Sequence, residues 1–336
     1  MKQKDRVCCI ILNWNSPDHT IACLTSLKSQ DLAPDTIIVC DNASTDNSGR
    51  QIRGWASQAF DHEQEVQVLT AQAVRQKRFP RKGRLPEFVF IQNSENQGFA
   101  RGNNLCIQWA LARESYSFIW MLNADTRPAH SALPCLHRCA QARKKVGIWG
   151  STVCSAQKPD VLQCAAGCTY TPWNTLIRPV LGGVKVSHAI NIQKDPHLDY
   201  IIGASMFLKV DALEHVGYLC EDFFLFYEEL DLCFRLNKFG YELGWCRESR
   251  VYHHGGTTFE AQAAATKARQ RRIAYHETLS TLIYTHRYYP QFLLLVLLAR
   301  LAGKFCCLLK RGQLKLMGPL LRAYVDFVAG NWKKTA

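Results

Sequence analysis

Four short apolar runs, Val7 to Leu12, Thr36 to Cys40, Phe88 to Ile91 and Phe118 to Leu122, alternate with segments whose apolar positions recur at helical spacing. Unbroken runs of this length predict strands buried on both faces, as in a parallel sheet. Between the first two, Ser16 caps and Pro17 opens a helix carrying Ile21, Leu24 and Leu27. A second helix is expected from Asn47 to Phe60, and a third carries Leu105, Trp109 and Ala112. The basic stretch from Arg75 to Arg84, bracketed by Pro80 and Pro86, predicts an inserted loop. The alternation implies an α/β fold: a mostly parallel central sheet with right-handed crossovers and flanking helices.

Beyond Gly150 the rhythm is lost, and Ser151 to Pro196 predicts an irregular region with short strands that shapes a substrate pocket. Tyr200 to Leu208 predicts a further buried strand, broken at Gly203-Ala204-Ser205 where a ligand or another backbone can approach. Phe226 to Phe239 predicts a helix stopped by Gly240, followed by two short strands, Glu242 to Cys246 and Arg250 to Tyr252. Near the carboxyl terminus, Phe292 to Ala299 is continuously apolar but spans only about 12 Å as helix, against roughly 30 Å of bilayer hydrocarbon. Continued to Leu309, it separates Arg300 and Lys304 from Leu301, Phe305 and Leu308, the pattern of a helix lying in an interface. A terminal helix pair packed on the preceding domain or on a second subunit is the alternative. The chain divides accordingly into residues 1–260 and a basic helical region, 261–336.

A chain that is 47% hydrophobic and 21% charged excludes extended disorder. The fifteen cysteines are odd in number, lie largely inside apolar runs and form no C-x-x-C pair, so they read as small buried hydrophobes rather than as disulfides or zinc ligands. The polar amino terminus runs straight into a strand without signal-peptide patterning, and the expectation is a reducing cytoplasm. The net charge of +13 is concentrated at one end: from Lys267 onward there are thirteen basic residues and only Glu277 and Asp326 as acids. Those charges are interleaved with leucines rather than base-stacking aromatics, which favours an anionic membrane surface over nucleic acid.

Asp41 and Asp125 stand at the exposed ends of apolar runs, where open α/β sheets collect ligands, and the cluster Glu228-Glu229-Leu230-Asp231 follows about a hundred residues later. Taken singly, each acid serves equally well as a helix cap or a turn residue. Their order, with the segments Ile10-Ile11-Leu12-Asn13-Trp14-Asn15, Val39-Cys40-Asp41-Asn42-Ala43-Ser44-Thr45-Asp46, Asn96-x-Gly98-Phe99-Ala100-x-Gly102-Asn103-Asn104, Leu122-Asn123-Ala124-Asp125 and Glu228-Glu229-Leu230-Asp231-Leu232-Cys233-x-Arg235, resembles the family 2 inverting glycosyltransferases of GT-A fold. The flavour is that of the rhamnosyltransferases of bacterial surface polysaccharide assembly.

The resemblance implies a donor pocket in which Asp41 binds the nucleotide, flanked by Asn13, Asn15, Asn42, Asn96, Gly98, Arg101, Asn104, Asn123, Gly203 and Ala204. It implies Asp125 and His253 as ligands of Mg2+ or Mn2+, with Asn123 where the family's first acid stands. Glu229 aligns with the general base, with Glu228 beside it as the other candidate. Asp46 reads as a helix cap and Asp231 with Arg235 as a structural ion pair. The implied partners are a dTDP- or UDP-linked sugar, a lipid-linked or growing saccharide acceptor, and the cytoplasmic face of the inner membrane as a peripheral site; a homodimer is left open. A nicotinamide enzyme is disfavoured because no G-x-G-x-x-G occurs. A sugar nucleotidyltransferase would need a glycine-rich basic loop near the first strand, which Asn13-Trp14-Asn15 does not supply.

Overall fold

The apolar runs become the centre of a ten-stranded sheet in the computed structural model, which describes residues 5–60, 65–113, 115–255 and 267–334. Its strands are β1 (Val7–Asn13), β2 (Thr36–Asp41), β3 (Val66–Thr70), β4 (Phe88–Gln92), β5 (Phe118–Asn123), β6 (Thr126–Pro128), β7 (Val146–Ser155) and β8 (Leu162–Ala165), with β12 (Ser205–Lys209) and β13 (Glu242–His253). A smaller sheet joins β9 (Gly167–Thr171), β10 (Leu176–Pro179) and β11 (Tyr200–Ile201) in the order β10-β9-β11. Successive residues of β1 face opposite sides: Cys8 and Ile10 enter one apolar cluster, Cys9 and Ile11 the other. Burial on both faces is why the runs show no alternation in sequence.

The main sheet runs β3-β4-β2-β1-β5-β12-β7-β13-β6, with β8 paired to β7. Strands β3 to β5 along this path are parallel, but β12 is antiparallel to both β5 and β7, and β6 and β8 are antiparallel to their partners. The sheet is therefore half parallel and half mixed, which corrects the mostly parallel expectation. Because β12 runs backwards, Ser205 at its start lies opposite Leu122 at the end of β5. The Gly203 turn is thereby brought to the edge where the parallel strands finish.

Helices α1 (Pro17–Lys28), α2 (Ser48–Ala59), α3 (Ala71–Arg75), α4 (Gly98–Ala112), α5 (Ala132–Ala142), α6 (Val186–Ala189), α7 (Val210–Val216) and α8 (Glu228–Lys238) accompany the sheets. Asp46 Oδ1 accepts from Ser48 N at 2.9 Å, but Asn47 is the N-cap of α2, so Asp46 stands one residue before the capping position expected of it. Three further expectations change. The edge strand β3 is partly exposed and gave no apolar run, and the basic stretch after it begins inside α3. Residues 151–196 do hold short strands, as expected: β8, β9, β10 and the end of β7. The two late strands are one, β13, with its register shifted between Cys246 and Arg250. Helix α8 starts at Glu228 because Phe226 and Tyr227 both adopt left-handed backbone, φ 68° and 73°.

The carboxyl-terminal helices are α9 (Lys267–Tyr288), α10 (Leu293–Lys310) and α11 (Met317–Val328). Helix α9 packs into the main core through Ile283 and Tyr284. Its Tyr288 hydroxyl donates to Asp231 Oδ1 at 2.6 Å. The other oxygen of Asp231, a residue 1% exposed, takes Arg235 Nη2 at 2.7 Å, and Arg235 Nη1 donates to the Val216 carbonyl at 2.6 Å. The structural ion pair expected from sequence thus joins α7, α8 and α9. Removing one partner of a buried pair typically costs about 3–5 kcal/mol. Asp231→Ala is expected to lose stability of that order, read from the urea midpoint.

Candidate active site

Five polar side chains end strands on one edge of the sheet: Gln92, Asp41, Asn13 and Asn123 on the adjacent β4, β2, β1 and β5, and His253 on β13, beyond β12 and β7. The edge follows from the topology, since parallel strands finish together. Asp41 is 2% exposed and accepts from Asn13 Nδ2 at 2.7 Å, Ser44 Oγ at 2.5 Å and Gln92 Nε2 at 2.7 Å. Asn13 Oδ1 in turn accepts from Thr20 Oγ1 at 2.8 Å. Next to this web, Asn42 donates to Asn96 Oδ1 and the Gly98 carbonyl, both at 3.0 Å, and accepts from Asn93 Nδ2 at 3.1 Å and Gln97 N at 3.2 Å.

These residues hold one another before any ligand is bound. Asn13, Asp41, Asn42, Asn96 and Gly98 form the floor of the edge, while Asn15 is exposed above it with its Oδ1 accepting from Thr45 N at 2.7 Å. Asn104 is buried, and its amide is engaged by Leu219 and Glu221, bridging α4 to the segment before α8. Arg101 pairs with the same Glu221 at 3.3 Å. At Gly98, φ is +83° and an added Cβ would lie 2.3 Å from the Phe224 carbonyl, the group that accepts from Phe99 N at 2.7 Å. Only glycine allows that approach.

Asp125 and His253 meet: His253 Nε2 lies 3.2 Å from Asp125 Oδ1. Burial pushes the Asp125 carboxyl up, but the hydrogen bond and charge of His253 outweigh it and hold it below the ordinary range. The other imidazole nitrogen, Nδ1, is 2.8 Å from Gln163 Oε1, and Gln163 Nε2 donates to the His253 carbonyl at 2.8 Å. A side-chain amide oxygen can only accept, so Nδ1 carries hydrogen and Nε2 is free to offer a lone pair when the ring is neutral. Two neighbouring ligands of an octahedral divalent ion stand about 3 Å apart at its usual bond lengths, so this pair suits Mg2+ or Mn2+. No cluster of three or more His, Cys, Asp or Glu occurs among the described residues, and the remaining positions would fall to water and phosphate oxygens. His254 instead turns to His19, ring centroids 4.8 Å apart.

The carboxylate cluster lies at the start of α8. Glu229 Oε1 accepts from Gly203 N at 2.6 Å, and a Cβ on Gly203 would lie 2.4 Å from that oxygen. Ala204 beside it is buried. Burial pushes the Glu229 carboxyl up to about 7, with the Gly203 amide and the charge of His253 opposing the rise. Glu228 is 2% exposed and its Oε2 has no protein partner. Burial, with the charges of Glu229 and Asp231 adding to it, raises its carboxyl well above the usual range. Two adjacent buried carboxylates do not both ionise cheaply, so of the pair Glu228 is the one that keeps its proton and Glu229 the one that ionises first. Glu229 also lines a cavity of about 370 Å³ together with Tyr200, Phe226, Thr175 and the α10 residues Arg300 and Lys304.

Sequence reasoning did not find Gln163, Gln92 or Ser44. Gln163 falls on the short β8, and nothing in its neighbours marks it; only the fold sets it against His253.

Residues 8–163 match the description "Glycosyl transferase family 2". The low-salt glycan biosynthesis hexosyltransferase Agl10 of Haloferax volcanii is 26% identical over 173 residues, 49% of this chain, which spans about half, 51%, of that relative. Among solved structures, the mannosyltransferase PcManGT from Pyrobaculum calidifontis, in complex with GDP-Man and Mn2+, superposes with a TM-score of 0.54 at 15% identity over 97% of this chain and 88% of the other. S. aureus TarS 1-349 in complex with UDP-GlcNAc does so with 0.51 at 12% identity, over 96% and 80%. The chain shares the fold of these glycosyltransferases, and its amino-terminal half carries the family 2 signature.

Gly203→Ala is expected to displace the Glu229 carboxylate. A shift of about 1 Å at a reacting group can cost about 100-fold in rate, so turnover should fall on that order, measured as kcat with the melting temperature as a control for folding.

Proposed function

We propose that this chain is an inverting glycosyltransferase that moves a hexosyl unit from a nucleotide diphospho-sugar to an acceptor hydroxyl at a membrane surface. One observation carries the reading: a buried glutamate with its carboxyl raised to about 7 is held by a backbone amide on the same sheet edge as the Asp125–His253 pair. A general base works best when its pKa lies near the working pH. Glu229 takes the proton of the acceptor hydroxyl while that oxygen attacks the anomeric carbon and the diphosphate departs from the opposite face.

Asp125 and His253 are the residues that would hold Mg2+ or Mn2+, with Gln163 fixing the imidazole, and the ion would neutralise charge on the departing diphosphate. The Asn13–Asp41–Gln92 web supports a rigid floor for the nucleotide, so that donor groups meet preset partners. A dTDP-rhamnose or UDP-sugar donor follows from the sequence resemblance, and rhamnose, a deoxyhexose, falls within hexosyl transfer.

The membrane component rests on the outer helices. Pro290–Lys310 is long and apolar enough to cross a bilayer by length and composition. Yet Arg300 and Lys304 halfway along it face inward to Glu277 on α9, while Leu294, Leu298, Phe305 and Leu309 are exposed. On α11, Leu321, Val325 and Val328 are exposed as well. This orientation supports a peripheral position on the cytoplasmic face of the inner membrane, with the outer side of α10 in the lipid interface.

Glu229→Gln is expected to lower transfer by about 100- to 10,000-fold while nucleotide-sugar binding, measured by calorimetry, persists. Because the base must be deprotonated and its pKa is raised, wild-type kcat/KM should be full above about 7 and fall with a one-proton slope as pH drops below it. The full chain is expected to float with vesicles containing anionic lipid at low salt, and the Leu294→Asp, Leu298→Asp double variant to remain at the bottom of the gradient.

A further inference from the structure

The cavity at Glu229 has a second, cationic wall that the transfer chemistry leaves unused. Arg300 is only 11% exposed; its Nη1 donates to Thr175 Oγ1 at 3.1 Å and its Nη2 to Glu277 Oε1 at 2.7 Å. Its buried Nε has no protein partner. Lys304, one helical turn on, reaches both Glu277 oxygens at 2.9 and 2.8 Å. Burial pushes the Glu277 carboxyl up, but Arg300 and Lys304 outweigh this and keep it ionised at neutral pH. Two cations therefore face one anion in a partly exposed corner, with one buried guanidinium donor left over. An unsatisfied buried donor is costly, and a corner of net positive charge that keeps one is suited to an anion.

The identity of that anion follows from where the wall lies. Arg300 and Lys304 sit on the inner side of the same helix whose outer side exposes Leu294, Leu298, Phe305 and Leu309. A lipid lying along the outside of α10 would meet a cationic cavity on its inside, and Glu229 lines the same cavity. Resting on the glycosyltransferase reading, we infer that this cavity is the acceptor subsite and that it takes the phosphate or diphosphate of a lipid-linked saccharide. Arg300 and Lys304 bind the phosphate oxygens, Glu277 yields part of its contact to them, and the attached sugar is presented to Glu229. Thr175, on the turn before β10, orients the guanidinium. A membrane-bound diphosphate would then be recognised by position and charge together, which suits an enzyme whose acceptor never leaves the bilayer surface.

Farnesyl diphosphate in detergent micelles serves as the probe, with farnesol and inorganic diphosphate as the two controls. The full chain should bind farnesyl diphosphate and not farnesol, and should bind inorganic diphosphate more weakly than the lipid form. Arg300→Gln and Lys304→Gln should each weaken farnesyl diphosphate binding by about 10- to 100-fold, the worth of a charged hydrogen bond. Glu277→Gln should tighten it by about threefold or more, because the competing carboxylate charge is gone; a purely structural Glu277 would not produce a gain. Equal binding of farnesol and farnesyl diphosphate, or unchanged affinity in Lys304→Gln together with no gain in Glu277→Gln, overturns the inference. Binding of inorganic diphosphate as tight as that of farnesyl diphosphate overturns the lipid source. Nucleotide-sugar hydrolysis by the wild-type chain separates the two levels: if it persists while the probe fails, only the subsite falls, and if no nucleotide sugar is turned over, the glycosyltransferase reading falls with it.

Discussion

The site depends on one strained turn. Phe226 and Tyr227 are consecutive non-glycine residues in left-handed backbone, each costing about 1–3 kcal/mol, and such residues persist only where their surroundings over-determine them. Here the surroundings are α9. Tyr227 is buried between Tyr170 and Tyr284, its hydroxyl 3.1 Å from Thr281 Oγ1, and the neighbouring Leu225 carbonyl accepts from Ser280 Oγ at 2.9 Å. His276 stacks on Phe224 with ring centroids 4.3 Å apart. The turn aims Glu229 at Gly203 and buries Glu228 behind it. A helix far away in sequence thus sets the direction of the Glu229 side chain, and α9 supports the start of α8 as much as it belongs to the basic tail.

A second constraint is polar saturation. The sheet edge carries many amides and carboxylates, and leaving them unpaired would be expensive where water is scarce. The fold answers with two webs around Asp41 and Asn42, so that the polar residues of this edge are already fixed by each other. Preorganisation of this kind lowers the ordering cost of binding. The His253–Gln163 pair does the same for the imidazole. It uses both ends of one amide, and β8, the strand bearing Gln163, is positioned by pairing with β7.

The carboxyl-terminal helices reverse the usual arrangement of a surface helix. Charge is turned inward to Glu277 and leucine outward to solvent, so α10 has a polar partner inside the protein and none outside. Exposure of so many leucines to water is unfavourable. The membrane surface proposed above is one environment that would satisfy both faces of the helix.

The sequence by itself determined the strands β1, β2, β4 and β5, since both-face burial leaves continuous apolar runs, and it placed Asp41 and Asp125 at the ends of two of those runs. It determined the Asp231–Arg235 pair, because that depends on local spacing. Tertiary structure decided the rest. The direction of β12, the small sheet of β9, β10 and β11, the recruitment of Gln163 and the contact of Glu229 with Gly203 all depend on residues far apart in the chain. The orientation of α10 belongs there too: periodicity separates Arg300 and Lys304 from Leu294, Leu298, Phe305 and Leu309, whereas Leu308, expected on the apolar side, follows Lys304 by one turn and is buried, and only the position of Glu277 tells which side faces in. Local pattern records the environment a residue needs, and the three-dimensional packing chooses which neighbour supplies it.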